Sequence, residues 1–142
     1  MTDDQFIEAF KNCTLPAEQF RHTDHVRMGF LYMCRYPGLE GVRRFSEGLQ
    51  SYAAALGKIN RYHETITWAF LLLIRERLAR KHDGVIPTWD EFAAANSDLL
   101  TWEDHVLKKY YTDETLQSEL ARKTFVLPDR NLVLSSETGV QL

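Results

Sequence analysis

Two cysteines in 142 residues, Cys13 and Cys34, leave no C-x-x-C pair, so a zinc ribbon or a thioredoxin-like redox motif is excluded. Both lie in apolar segments of helical pattern. Free, buried thiols in a reducing compartment are the expected state, because small intracellular domains rarely carry a disulfide. Glycine (7) and proline (4) are also scarce. There is no glycine-rich phosphate loop, no G-x-S-x-G elbow and no cysteine beside a histidine. Kinase, P-loop and α/β-hydrolase chemistries therefore have no motif to stand on. Positive charge is not in excess either. Seventeen Lys and Arg face twenty Asp and Glu, for a net charge of -3 and a pI near 5.9. A general nucleic-acid partner or a charge-driven membrane partner is not expected. The strongest apolar run, "WAFLLLI" from Trp68 to Ile74, is far shorter than the roughly 20 residues a bilayer span needs. The opening "MTDDQF" lacks the basic-then-apolar order of a secretory signal. A cytoplasmic protein is the expectation.

What the chain does have is apolar content, 44%, enough for one core, arranged with helical period. Thr2 and Gln5 have capping-box spacing, and Phe6, Ile7, Phe10 and Cys13 follow on one stripe, which predicts a helix from Asp3 to Cys13. A second helix is expected from His22 or Thr23 to Tyr36, stopped by Pro37-Gly38. Leu39, Val42, Phe45, Leu49, Tyr52 and Leu56 recur three and four apart, giving a third helix that Gly57 ends. The fourth, from Arg61 to Lys81, is apolar nearly all round between Trp68 and Ile74 and belongs at the centre. Thr88 and Glu91 form a second capping box before "DEFAAAN". "TWEDHVLKKYY" and "DETLQSELARK" read as two terminal helices. After Thr124 the period is lost. The prediction is all-α: a single-domain helical bundle over 1–124 with short extra helices, and an extended C-terminal tail over 125–142, folding back through Phe125, Val126 and Leu127 or trailing.

Two polar segments stand out. "FRHTDHVR" and "NRYHET" each put histidine, arginine and an acid directly before an apolar helix. Short turns make successive helices antiparallel, so helices two and four run parallel and their polar N-termini fall at the same end of the bundle. Unequal helix lengths imply a stagger between them. His22 and His25, three apart, share a helical face; with His63 they form the candidate metal ligands for a divalent transition metal. The metalloprotease pattern H-E-x-x-H is broken by Thr67. His63 and Glu64 are the candidate acid/base pair. Arg27, Arg61, Tyr32 and Trp68 are the candidate ligand-binding residues, the arginines for an anionic group. Three uses of these residues stay open: a metal site, a metal-free small-molecule pocket with acid/base or hydrolytic activity, and purely structural caps and dipole partners. His82 reads as a helix C-terminal cation, and His105 as a polar edge that could lend a fourth imidazole.

On "FRHTDHVRMGFLYM", "YHETITWAF", "LLTWEDHVLKKYY" and "LARKTFVLPD", the chain resembles a family of small, uncharacterised bacterial helical proteins. The resemblance spans most of Phe20 to Asp129. It implies a bacterial cytoplasmic protein with His22, His25, His63 and Glu64 at the motif positions, and it brings no reaction. The rival class is a non-catalytic interaction module in which the histidines are structural. Its docking surface would be helices one and three, with Arg43, Arg44 and Glu47, or the tail "LVLSSETGVQL". A homodimer stays open.

Overall fold

The computed structural model describes residues 1–80 and 84–130. His82 and most of the tail, 131–142, lie outside the described residues. Within them the chain is all helical: α1 (Asp3–Lys11), α2 (His22–Arg35), α3 (Glu40–Ala55), α4 (Glu64–Ala79), α5 (Trp89–Ala95), α6 (Asp113–Leu116) and α7 (Glu119–Lys123), with 3₁₀ turns at Ala17–Gln19, Ile59–Arg61, Ser97–Leu99 and Val106–Lys109. No helix of the described residues is long and apolar enough to cross a membrane.

Local sequence signals set several boundaries. The Thr2 hydroxyl accepts from the Gln5 N–H while the Gln5 side chain accepts from the Thr2 N–H, and Thr88 and Glu91 repeat the exchange at α5, so both predicted capping boxes form. Gly57 turns the chain out of α3 with φ +69°, where a Cβ would be strained. Helix α1 is two residues shorter than its stripe predicts, because Cys13 adopts a left-handed φ of 58° and ends the run. Both cysteines are free and half-buried.

Three further helices depart from expectation. Helix α4 begins at Glu64 instead of Arg61, because Ile59–Arg61 closes a 3₁₀ turn and His63 becomes the N-cap. "TWEDHVLKKYY" makes no α-helix, only the 3₁₀ turn Val106–Lys109. The "DETLQSELARK" helix is split in two, since the Ser118 hydroxyl accepts from the Ala121 N–H and starts α7 afresh.

Phe10, fully buried, is the hub of the core between α1, α2 and α3. Its ring meets Phe20, Tyr32, Phe45 and Tyr52 at centroid distances of 5.2 to 6.0 Å. Burying one such side chain stabilises by about 1.5–3 kcal/mol. The Tyr52 hydroxyl, also buried, donates to the Leu15 carbonyl at 2.7 Å. Helix α2 packs most extensively on α4, and α7 also docks against α4. A Cβ at Gly29 would lie 2.9 Å from Leu71 Cδ2 and 3.2 Å from Ile74 Cδ1, so this glycine sets the close approach of α2 to α4. Pairs along the contact climb together: His22 beside Phe70, Gly29 beside Leu71 and Ile74, the Tyr36 carbonyl with Arg75 Nη2. The two helices therefore run in the same sense. His22 sits against the second turn of α4, which is the stagger that the helix lengths imply.

Beyond α7 the chain crosses α4. The Thr65 hydroxyl donates to the Thr124 carbonyl at 2.8 Å and accepts from the Val126 N–H at 3.0 Å, and Phe125 stacks on Trp68 at 5.7 Å. Leu127 remains exposed.

Candidate functional site

Where the N-terminal turns of α2 and α4 meet α3, the chain forms a half-open cavity of about 640 Å³, lined among others by His22, His25, His63, Arg61, Tyr62, Phe70 and Trp102. Both polar segments contribute, as the parallel sense of α2 and α4 requires.

His63 is held by two backbone groups. Its Nδ1 accepts the Ile66 N–H at 3.1 Å, capping α4, and its Nε2–H donates to the Leu116 carbonyl at 2.6 Å. One nitrogen must be bare and the other protonated, so the ring is a fixed neutral tautomer. His22 donates Nε2–H to the Leu99 carbonyl at 2.9 Å and lies between Phe70 and Trp102, with ring centroids 5.2 and 5.3 Å away. His25 stacks on Phe20 at 4.0 Å and hydrogen-bonds the Phe20 carbonyl. Burial pushes all three imidazoles below their ordinary value. His25 goes down to about 4, with His22 adding to the effect; the Leu99 carbonyl opposes the shift at His22; at His63 the Leu116 carbonyl opposes it while nearby Arg122 deepens it. Near pH 7 the three are uncharged hydrogen-bonding groups, because removing a charge from water costs more than these carbonyls return.

The positive charge of the cavity comes from elsewhere. Lys58, Arg61 and Arg122 line it, and Arg122 Nη1 donates to the Asn60 carbonyl at 2.7 Å, tying its guanidinium to the turn that carries Arg61. Lys58 and Arg122 are absent from the sequence-level site. Arg122 is brought in by α7, which only tertiary packing places here. Lys58 has a local signal, its position three residues before Arg61 on the approach to His63.

Other expected site residues fall outside this cavity. Arg27 pairs with Asp3 at 2.7 Å and lies over the Phe6 ring at 4.6 Å; it clamps α1 to α2. Tyr32 is buried, packed edge-on against Phe10 and Phe45. Glu64 points away from His63. It accepts the Tyr62 hydroxyl at 2.5 Å and, with Trp68 and Ser46, lines a separate groove of about 440 Å³ between α3 and α4. The predicted His63–Glu64 pair is therefore not assembled: as the cap, His63 turns into the cavity, and Glu64, the first residue of the helix proper, turns out of it. Nor does the predicted metal set come together, since among the described residues no group of three or more His, Cys, Asp or Glu is placed to hold a metal ion, and both nitrogens of His63 are already engaged. His105 stacks on Trp102 at 4.5 Å with its Nδ1 buried and unpartnered, one layer behind the cavity wall. On α3, Arg43 binds Glu40 and Glu47, and Arg44 binds Glu40, so these charges satisfy one another along the helix. Comparison with known protein families, curated proteins and solved structures finds no match for the chain.

Proposed function

We propose that the protein binds a small organic molecule in the cavity between α2, α3 and α4. The observation that carries this reading is the convergence of His22, His25, His63 and Arg61, from two distant segments, on one half-open cavity of about 640 Å³. That volume is in the ordinary range for small-molecule sites, which are largely apolar with a few convergent polar groups. Binding, more than acid/base or hydrolytic turnover, is what the arrangement favours. Among the described residues no carboxylate lines the cavity to partner an imidazole, and a His25 that stays neutral down to about pH 4 is a poor proton donor at neutral pH.

The test is a thermal-shift screen of small organic molecules on the wild type and on Ala53→Trp, which places an indole in the cavity from α3. A ligand that binds only the folded state raises the melting temperature by mass action. Stabilising compounds are expected for the wild type and not for Ala53→Trp, with circular dichroism showing the variant folded. Compounds that stabilise both proteins equally would refute the reading.

A further inference from the structure

The cavity's charge is one-sided in a way the whole chain is not. Acids outnumber bases, twenty to seventeen, yet among the described residues the lining holds Lys58, Arg61 and Arg122 and no Asp or Glu. Other described arginines meet carboxylates away from the cavity: Arg27 with Asp3, Arg35 with Asp4, Arg43 and Arg44 with Glu40, Arg77 with Asp98, Arg80 with Glu76. Among the described residues Lys58 and Arg61 form no ion pair, and Arg122 has only a long contact to Glu119 at 3.8 Å. The neutral histidines add no charge. The lining also holds a buried apolar group, Phe45, Leu71 and Ile74.

From this division, and resting on the binding role proposed above, we infer that the ligand is an organic anion, with a carboxylate, sulfonate or similar head held by Lys58, Arg61 and Arg122 and an apolar body against Phe45, Leu71 and Ile74. A guanidinium takes such a head through paired, charge-assisted hydrogen bonds. A cationic ligand meets like charge, a neutral one forgoes the charge-assisted contacts, and a small hydrated anion leaves the apolar wall wet.

Two dyes with almost the same aromatic body separate these cases: 1-anilinonaphthalene-8-sulfonate, an anion, and N-phenyl-1-naphthylamine, its neutral counterpart. Fluorescence titration of the wild type is expected to show the sulfonate binding about tenfold tighter or more, the weight of one good charged contact, and weakening as salt is added. The exposed pair Lys58→Gln, Arg61→Gln is expected to weaken the sulfonate about tenfold while the neutral dye stays within about twofold; Arg61→Gln alone gives the same direction if the double variant is unstable. Equal binding of both dyes, or neutral binding alone, with no effect of the charge variants, would overturn the anionic assignment and leave the cavity intact as a binding site. Failure of both dyes to bind, or sulfonate binding that persists in folded Ala53→Trp, would overturn the cavity reading and this inference with it.

Discussion

His63 joins two elements through one ring, taking the Ile66 N–H on Nδ1 and giving Nε2–H to Leu116. An alanine there removes a helix cap, typically about 1 kcal/mol, and strands the buried Leu116 carbonyl, a further 1–3 kcal/mol or so. His63→Ala is therefore expected to lose about 2–4 kcal/mol in a urea melt. His63→Asn restores a side-chain acceptor at the cap but not the reach to Leu116, and should recover about 1 kcal/mol of that. Equal stability of the two variants would mean that the cap contributes nothing. The same ring shows where sequence reasoning stops. Spacing marks His63 and Glu64 as polar neighbours, but it does not distinguish a cap from a first helical residue. That one-residue difference turns them to opposite sides of α4.

At the scale of elements, what was legible was local. Capping boxes at Thr2 and Thr88, and the stops at Pro37-Gly38 and Gly57, depend on residues within one turn and appear as expected. "TWEDHVLKKYY" was not legible, because Trp102 stacks on His105 and packs against His22, tertiary contacts that outweigh weak helical propensity. Ser118 could have been read as a cap, but "DETLQSELARK" also carries the charge pattern of a continuous helix. The crossing of α4 by residues 124 to 126 depends on Thr65, which is fully buried and bonds both Thr124 and Val126. Thr65→Val keeps the volume and loses both bonds. It should cost about 1–3 kcal/mol and open the chain near Thr124 to limited proteolysis at temperatures where the wild type is not cut. A variant as stable and as resistant as the wild type would show that Phe125 stacking alone holds this segment.

For the whole molecule, the shared end of α2 and α4 was visible from loop lengths, because short turns leave few topologies. The composition of the cavity was not, since Arg122 comes from α7 and Phe45, Leu49, Tyr52 and Ala53 from α3, neither of which the polar segments themselves announce. Its buried histidines have a consequence for stability. Their pKa values in the folded protein lie below the ordinary 6.5, at about 4 for His25, so the unfolded chain binds more protons between those limits. Stability is full above about pH 6.5, falls as the pH drops, and has lost the His25 contribution below about pH 4. The carboxylate of Asp98, held low by Arg77, loses its contribution only from its ordinary value of 3.8 downwards, so the upper part of the decline belongs to histidine. His25→Phe, which keeps an aromatic ring on Phe20, should flatten the pH dependence of the melting temperature between 6.5 and 4. An unchanged slope would contradict the assignment.

The central claim is that two polar segments form one binding cavity. Imidazole nuclear magnetic resonance, with the His22, His25 and His63 signals assigned from single substitutions, tests it most directly during a titration with 1-anilinonaphthalene-8-sulfonate. The prediction is that signals from both segments move together and saturate on one isotherm, because all three rings line the same volume. Signals that move from one segment alone, or that follow two different isotherms, would mean that the segments do not share a site.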